Sequence, residues 1–484
     1  MKLTAHREIF EKHWKNLMLP LSFVFANLLN FGFYYLGMGF QENVGREYGF
    51  MLGCILFAVL TGITFLAILR KAKFSRMSWI VLGIVVLFYT CVFLAGILRY
   101  GLNKHAIRYL REFIVYCIPA FFSGICAAAW KAEKTFFQTM EKISFFVLPG
   151  AVIYFNGIMF NCNPFGYGRN FGIMAYMYFA YTIMPFFLVH LICFINKCPM
   201  KKPGREESVK RPQLLRGIMI LIYWVAIYAS GTRGTVVCVI VFSLLLVISQ
   251  LVYRENVKRT LVLILAILML YLFNLTVYAP AGMRWINRMD IFTDGLKAGQ
   301  LVTTTGEDSS VSEQIDDLVA ADSEQQVANR PEDQENPGTE ESPTDIAEKN
   351  LQIGNRGTYY KIAFKEFLKA PITGMGFAGF SVKYGTYPHN AVLELMAETG
   401  LVGIVVLLGA ILFVFVKLLI IGHKNKAVRY LLLFIIAYAV RANISMSVWE
   451  CSALLAALGY GLAYSWNPKK VQTATELDQG TEML

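Results

Sequence analysis

The sequence has no CxxC pair, no Walker-type phosphate loop, no HExxH helix and no GxSxG elbow. These absences exclude a zinc ribbon, a P-loop nucleotidase, a zincin protease and an α/β-hydrolase as motif-supported readings. The nine cysteines (Cys54, Cys91, Cys117, Cys126, Cys162, Cys193, Cys198, Cys238 and Cys451) fall mostly inside apolar runs and read as packing residues rather than a disulfide framework. No carboxylate cluster has metal-ligand spacing, so any chemistry is expected to be metal-independent, with no cofactor. The basic start "MKLTAHREIFEKHWK" lacks the short apolar core and small-residue cleavage site of a signal peptide, so the first apolar run is expected to be retained.

What is present is apolar length. Of 484 residues, 56% are hydrophobic, against about 45–50% in soluble domains. A bilayer-crossing helix needs about 20 apolar residues. Runs near 17–39, 49–69, 78–98, 112–130, 143–160, 171–196, 214–230, 233–253, 260–279, 400–421, 427–446 and 448–465 approach or reach that length. The expectation is an all-α polytopic membrane protein with about twelve transmembrane helices: nine within residues 1–279, three within 400–466 and a tail over 467–484.

The loops "RKAKFSR" (70–76), "KCPMKKPGREESVKR" (197–211), "RENVKR" (254–259) and "GHKNKAVR" (422–429) are basic and fall on one side of such a count. The positive-inside rule makes that side cytoplasmic, with both termini. The basic loop "RYGLNKHAIRYLRE" (99–112) lands on the other side, against the rule. The net charge of +12 is no sign of nucleic acid. Residues 301–350 hold 14 acidic and 2 basic residues, leaving 43 basic and 19 acidic elsewhere, the balance expected of basic cytoplasmic loops.

This orientation places one long loop, 280–399, outside the membrane between spans 9 and 10. Its acidic insert, 299–350, has too little apolar surface to offset ordering entropy and is expected to be disordered. Residues 357–369 space Tyr360, Phe364, Phe367 and Leu368 at helical intervals beside Lys361, Lys365 and Lys369, an amphipathic helix suited to a membrane surface.

Four places carry residues suited to chemistry. In "ASGTRGTVV" (229–237), Gly231 and Gly234 bracket Arg233, whose guanidinium suits phosphate oxygens or merely snorkels to headgroups. In "GNRGTYY" (354–360), Arg356 lies between glycines at a helix start, where anions settle. In "TYPHNAVLELMAETG" (386–400), His389 precedes a helix on which Asn390, Glu394 and Glu398 form one stripe. His389 suits a general base, and either His389 or Asn390 suits a simple helix cap. Arg441, in "AVRANISMSVWE" (439–450), pairs with a carboxylate such as Glu450 or faces a polar cavity, because an unpaired charge there is expensive.

The ordered series "YASGTRGTVVCVIVFSLLLV" (228–247) and "NRGTYYKIAFKEFLKAPITGMGFAGFSVKYGTYPHNAVLELMAETGLVGIVVLLGAIL" (355–412) resembles the O-antigen ligase/polymerase family of bacterial envelope glycosyltransferases, over about residues 220–420. The resemblance implies a GT-C-like helical fold and an undecaprenyl-diphosphate-linked oligosaccharide donor. It implies a glycan acceptor and a chain-length regulator protein as partners, at the inner membrane with an extracytoplasmic site. It assigns Arg233 and Arg356 to the lipid diphosphate and His389 to the acceptor hydroxyl; Asn390, Glu394 and Arg441 are secondary candidates on the reading of the residues themselves. The chain departs from the pattern in its acidic insert and in "GTRG" where relatives often carry a Ser-Arg pair. A polysaccharide polymerase is the expected function and a ligase acting on a lipid core or protein its alternative. A transporter of lipid-linked oligosaccharide is the rival of another class. It is disfavoured because the halves show no evident repeat and the candidate residues cluster at one face.

Overall fold

The computed structural model describes residues 2–35, 44–69, 75–159, 176–196, 211–229, 232–277 and 356–464. The acidic insert and the C-terminal tail lie outside the described residues. Helices α1 (Lys2–Tyr35), α2 (Val44–Leu69), α3 (Arg76–Tyr100), α4 (Lys104–Glu112), α5 (Ile118–Trp130), α6 (Glu133–Met159), α7 (Tyr176–Ile195), α8 (Arg211–Ala229), α9 (Arg233–Val252) and α10 (Val257–Val277) make the first part. After the long loop come α11 (Arg356–Lys369), α12 (Gly379–Tyr384), α13 (Ala391–Gly403), α14 (Gly409–Lys424), α15 (Lys426–Ser445) and α16 (Ser452–Ala463). One-turn π segments join α4 to α5 and α13 to α14. No strand occurs among the described residues, so the all-α expectation holds.

Each of the twelve apolar runs overlaps a helix, but six stretches among the described residues are long and apolar enough to cross a membrane. They are Phe50–Ile68, Arg76–Tyr100, Lys104–Trp130, Gly234–Val252, Ala391–Lys424 and Lys426–Ser445. The expected count of twelve is therefore not confirmed. Helices α7, α8 and α16 contribute shorter apolar stretches, and α7 is buried along nearly its whole described length, at the centre of the bundle. Helices α2, α3, α10 and α14 instead turn leucine, isoleucine and valine outward, as in Leu66, Leu98, Val262 and Leu412. Such an apolar exterior suits lipid, not water.

Where helices approach closely, glycine is the reason. A Cβ on Gly124 of α5 would stand 2.0 Å from the Ala456 carbonyl oxygen, and one on Gly459 of α16 2.2 Å from that of Phe121. Without side chains there, backbones meet directly, as small residues allow between membrane helices.

The motif "PITGMGF" also acquires a physical cause. Helix α13 is broken at Gly400, whose φ of 62° lies in the left-handed region. The break frees backbone groups, and the 371–376 loop takes them up. Met375 N donates to Ala397 O (2.8 Å), Gly376 N to Glu398 O (2.7 Å), and Leu401 N to Pro371 O (2.8 Å). A Cβ on Gly374 (φ 67°) would lie 2.4 Å from the Glu398 carbonyl carbon. The stretches 371–376 and 397–401 thus interlock, and glycine is required in both.

The basic loop that offends the positive-inside rule packs against this same region. Arg99 Nη1 and the Tyr100 hydroxyl both donate to Met375 O, at 3.0 and 2.8 Å. Arg108 faces Glu112 and Glu450. Much of its charge is engaged within the protein, so counting the loop as a free basic segment misreads it.

Candidate functional site

A cavity of about 460 Å³ opens between the two parts of the chain. Helix α1 lines it with Ser22 and Asn27, α4 with Arg108 and Glu112, and α7 with Tyr181. The turn before α13 adds Tyr387 and His389, α15 adds Tyr438, Arg441 and Ser445, and the turn before α16 adds Glu450.

His389 owes its place to local backbone chemistry. Its φ of 57° is left-handed, a conformation histidine adopts more readily than most residues. Asn390 follows as the N-cap of α13, its Oδ1 accepting from Leu393 N at 2.9 Å. The imidazole sits beside the Tyr387 ring, centroids 4.2 Å apart, and within 6.3 Å of the Tyr359 ring from α11. Burial pushes the Tyr359 phenol above its ordinary pKa, keeping it neutral.

Arg441 is 6% exposed and faces the cavity. Its guanidinium carbon lies 4.5 Å from the Tyr181 ring centroid and 5.8 Å from that of Tyr438. Among the described residues no carboxylate pairs with it, and its Nε has no hydrogen-bond acceptor. Of the two alternatives read from the sequence, the polar cavity is the one observed. Glu450 instead faces Arg108 at 3.5 Å. The Tyr181 hydroxyl donates to Ser445 Oγ (2.8 Å) and that of Tyr387 to Ser445 O (3.3 Å), which fixes both rings on this wall.

The side chains of Arg233 and Arg356 lie outside the described residues, but their backbone positions are informative. Arg233 is the first residue of α9, after the N-cap Thr232. Its neighbour Gly234 is packed so tightly that a Cβ would fall 2.1 Å from Tyr181 Oη and 2.8 Å from Ile444 Cγ2. The start of α9 therefore abuts the Tyr181–Ser445 wall. Arg356 opens α11, three residues before the Tyr359 that approaches His389. Both arginines begin helices, Arg356 as the sequence reading expects and Arg233 at the end of the turn between two apolar runs.

Asn390, Glu394 and Glu398 do not line the cavity. The Asn390 side chain is the helix cap. Glu394 and Glu398 do share a helix face, but that face is fully buried. Glu394 accepts from Ser447 Oγ (2.8 Å) and Val448 N (2.7 Å). Glu398 accepts from Ala378 N and Phe380 N, each at 3.0 Å, and from Trp449 Nε1 at 2.6 Å. These carboxylates hold the turn that carries Glu450 and the start of α12. They position the wall and do not touch what the cavity would contain.

Sequence reasoning missed Tyr181, Tyr387, Arg108 and Glu112. The last two sit four residues apart at the head of an apolar span, a charged pair visible in the sequence. Nothing there shows that Glu450, more than 330 residues on, meets them. Among the described residues no group of three or more His, Cys, Asp and Glu side chains is arranged to hold a metal ion.

Residues 218–408 match a family model described as O-antigen ligase. Over these residues the chain is similar to that family. The match covers α9 to α13 with Arg233, Arg356 and His389, close to the 220–420 expected from the motifs, and ends before Arg441 and Glu450. It supports an O-antigen ligase/polymerase-type glycosyltransferase, and so an enzyme. With the apolar helices it fits a multi-pass membrane protein. No curated protein matches the chain.

Proposed function

We propose that this protein polymerises polysaccharide repeat units. On this reading it transfers a glycan from undecaprenyl diphosphate to a growing glycan at the outer face of the cytoplasmic membrane, with both termini inside. The observation that carries the reading is the pairing, on one cavity, of His389 with a nearly buried Arg441 that no carboxylate neutralises among the described residues. A buried, uncompensated guanidinium in a multi-helix apolar protein calls for an anionic ligand. A diphosphate meets that need, and the helix starts at Arg233 and Arg356 add N–H groups and positive charge of the kind that bind anions.

In the transfer, the acceptor hydroxyl oxygen attacks the anomeric carbon while the bond from that carbon to the diphosphate oxygen breaks. The diphosphate leaves with the bonding electrons, and the arginines stabilise its developing charge. His389 receives the hydroxyl proton. No step calls on a metal.

Replacing Arg233, Arg356 or His389 with Ala is expected to abolish polymer growth in producing cells while the protein still inserts. Polymer of normal length in all three variants would sink the assignment. The family description favours one second reading, a ligase that delivers the glycan to a lipid core or protein. Analysis of the product distinguishes them: a lengthened glycan still on its lipid diphosphate marks the polymerase, and a glycan joined to a non-glycan acceptor marks the ligase.

A further inference from the structure

The end of the cavity away from the family-matched segment has its own chemistry. Arg108 reaches Glu112 through Nε at 3.2 Å and Glu450 through Nη2 at 3.5 Å. The two carboxyls thus share one guanidinium. Yet Glu112 Oε2 and Glu450 Oε1, both buried, receive no hydrogen bond from a donor among the described residues. A cluster serving structure alone closes on itself, as Glu394 and Glu398 do by accepting from every donor around them. Here the three side chains instead share an open space: Glu112, Glu450 and Arg441, the last nine-tenths buried, all line the one cavity. The same cavity is lined by Asn27 and by the rings of Phe50 and Tyr116, the two rings edge to face at 5.8 Å.

We infer that Glu112 and Glu450, with Asn27 and the Phe50–Tyr116 rings, form a subsite for a neutral sugar ring of the glycan whose anionic end lies at Arg441. Three features select that ligand class. Carboxyl oxygens and an amide are the acceptors and donors that sugar hydroxyls match. Aromatic rings offer an apolar wall to the C–H face of a pyranose. The Arg108 charge offsets carboxylate charge at this end, so the subsite does not demand a cationic ligand. Its residues all lie outside 218–408, so the matched domain supplies His389 while flanking segments choose the sugar. This rests on the transfer reading above and adds to it a recognition site.

The test uses the purified full chain in nanodiscs and two probes: bare undecaprenyl diphosphate and the native lipid-linked oligosaccharide extracted from producing cells. The wild type is expected to bind the oligosaccharide lipid roughly tenfold more tightly than the bare lipid, the gain from two or three hydrogen bonds. The double variant Glu112→Ala/Glu450→Ala should lose that tenfold and keep the wild-type Kd for bare undecaprenyl diphosphate. Asn27→Ala, which leaves the ion cluster intact, should weaken the oligosaccharide lipid about threefold, a single hydrogen bond, and decides the matter if the double variant does not fold. Unchanged affinity for the oligosaccharide lipid in the variants overturns the subsite, and so does equal loss for both probes. If the wild type ignores bare undecaprenyl diphosphate, the transfer reading fails instead. Free oligosaccharide released from that lipid then tests the sugar subsite separately, with the same loss expected in the double variant and an unchanged Kd contradicting it.

Discussion

Two arginines deep in this protein have opposite surroundings. Arg216, fully buried on α8, donates through Nε and Nη2 to the two oxygens of Glu141, the second at 2.9 Å. Glu141 also faces His190 Nδ1 at 3.6 Å, and His190 Nε2 meets Ser144 Oγ at 2.9 Å. Arg441, 6% exposed on α15, has two aromatic rings and a cavity. Removing a charge from water costs several kcal/mol per ion, and a bidentate carboxylate offsets it in the first case. In the second nothing among the described residues of comparable strength does. A closed set of partners marks a structural charge, and an open one marks a charge kept for a ligand.

The contrast is sharpest under matched substitution. Arg216→Ala leaves Glu141 buried with only His190 beside it and should destabilise the protein by about 3–5 kcal/mol, read as lost folded yield or a lowered melting temperature in detergent. Arg441→Ala should leave the melting temperature near wild type and cut transfer by about 100-fold or more, as loss of a group that stabilises transition-state charge does. If Arg441→Ala unfolds the protein and Arg216→Ala only slows it, the assignment of the two roles is reversed.

Next in size is the interlock that holds the cavity wall. Gly374→Ala and Gly400→Ala each force a Cβ into backbone at 2.4 Å and into a left-handed φ. Each should cost about 2 kcal/mol or more, combining left-handed strain with overpacking, and should lower the melting temperature. Glu398→Gln should cost about 1–3 kcal/mol. All three of its partners are donors, so the new amide sets N–H against N–H. Retained stability in Glu398→Gln would show that these bonds do not hold the turn.

The smallest expected effect is a pH dependence in the contact between α11 and α12. Burial favours the neutral form of Glu366, but hydrogen bonds from Lys369, Tyr384 and Lys383 outweigh it and hold the carboxyl at about 2. A carboxyl depressed on folding stabilises the fold above its ordinary value near 4.5, and the contribution fades as pH falls towards 2. Docking of α11 on α12 should therefore loosen between about pH 4.5 and 2, seen as lost hydrogen-exchange protection within 356–384, and Glu366→Gln should remove that dependence.

The apolar runs were legible because bilayer length and helical rise leave little freedom in reading them. Arg356 was legible as a helix start, Arg233 as part of a glycine-bracketed turn between apolar runs, and His389 as a residue set apart by the Pro388 corner. The fate of Glu394 and Glu398 was only half legible. Spacing places them on one face, but it cannot say what covers that face, and here the 447–450 turn does. Arg108, Glu112 and Glu450 were visible as charges in apolar surroundings, yet their meeting depends on α16 lying along α5, which no local pattern encodes. Arg441 could be narrowed to two environments because burying an unpaired charge is costly, and packing chose between them.

Glycan transfer from a lipid diphosphate is the proposed work of this cavity. Its most direct test is the appearance of free undecaprenyl diphosphate when the purified full chain, in vesicles, meets the native lipid-linked oligosaccharide. The account predicts steady release by the wild type and none above background by folded His389→Ala or Arg441→Ala. Movement of the intact lipid across the vesicle with no release, or release undiminished in both variants, would contradict it.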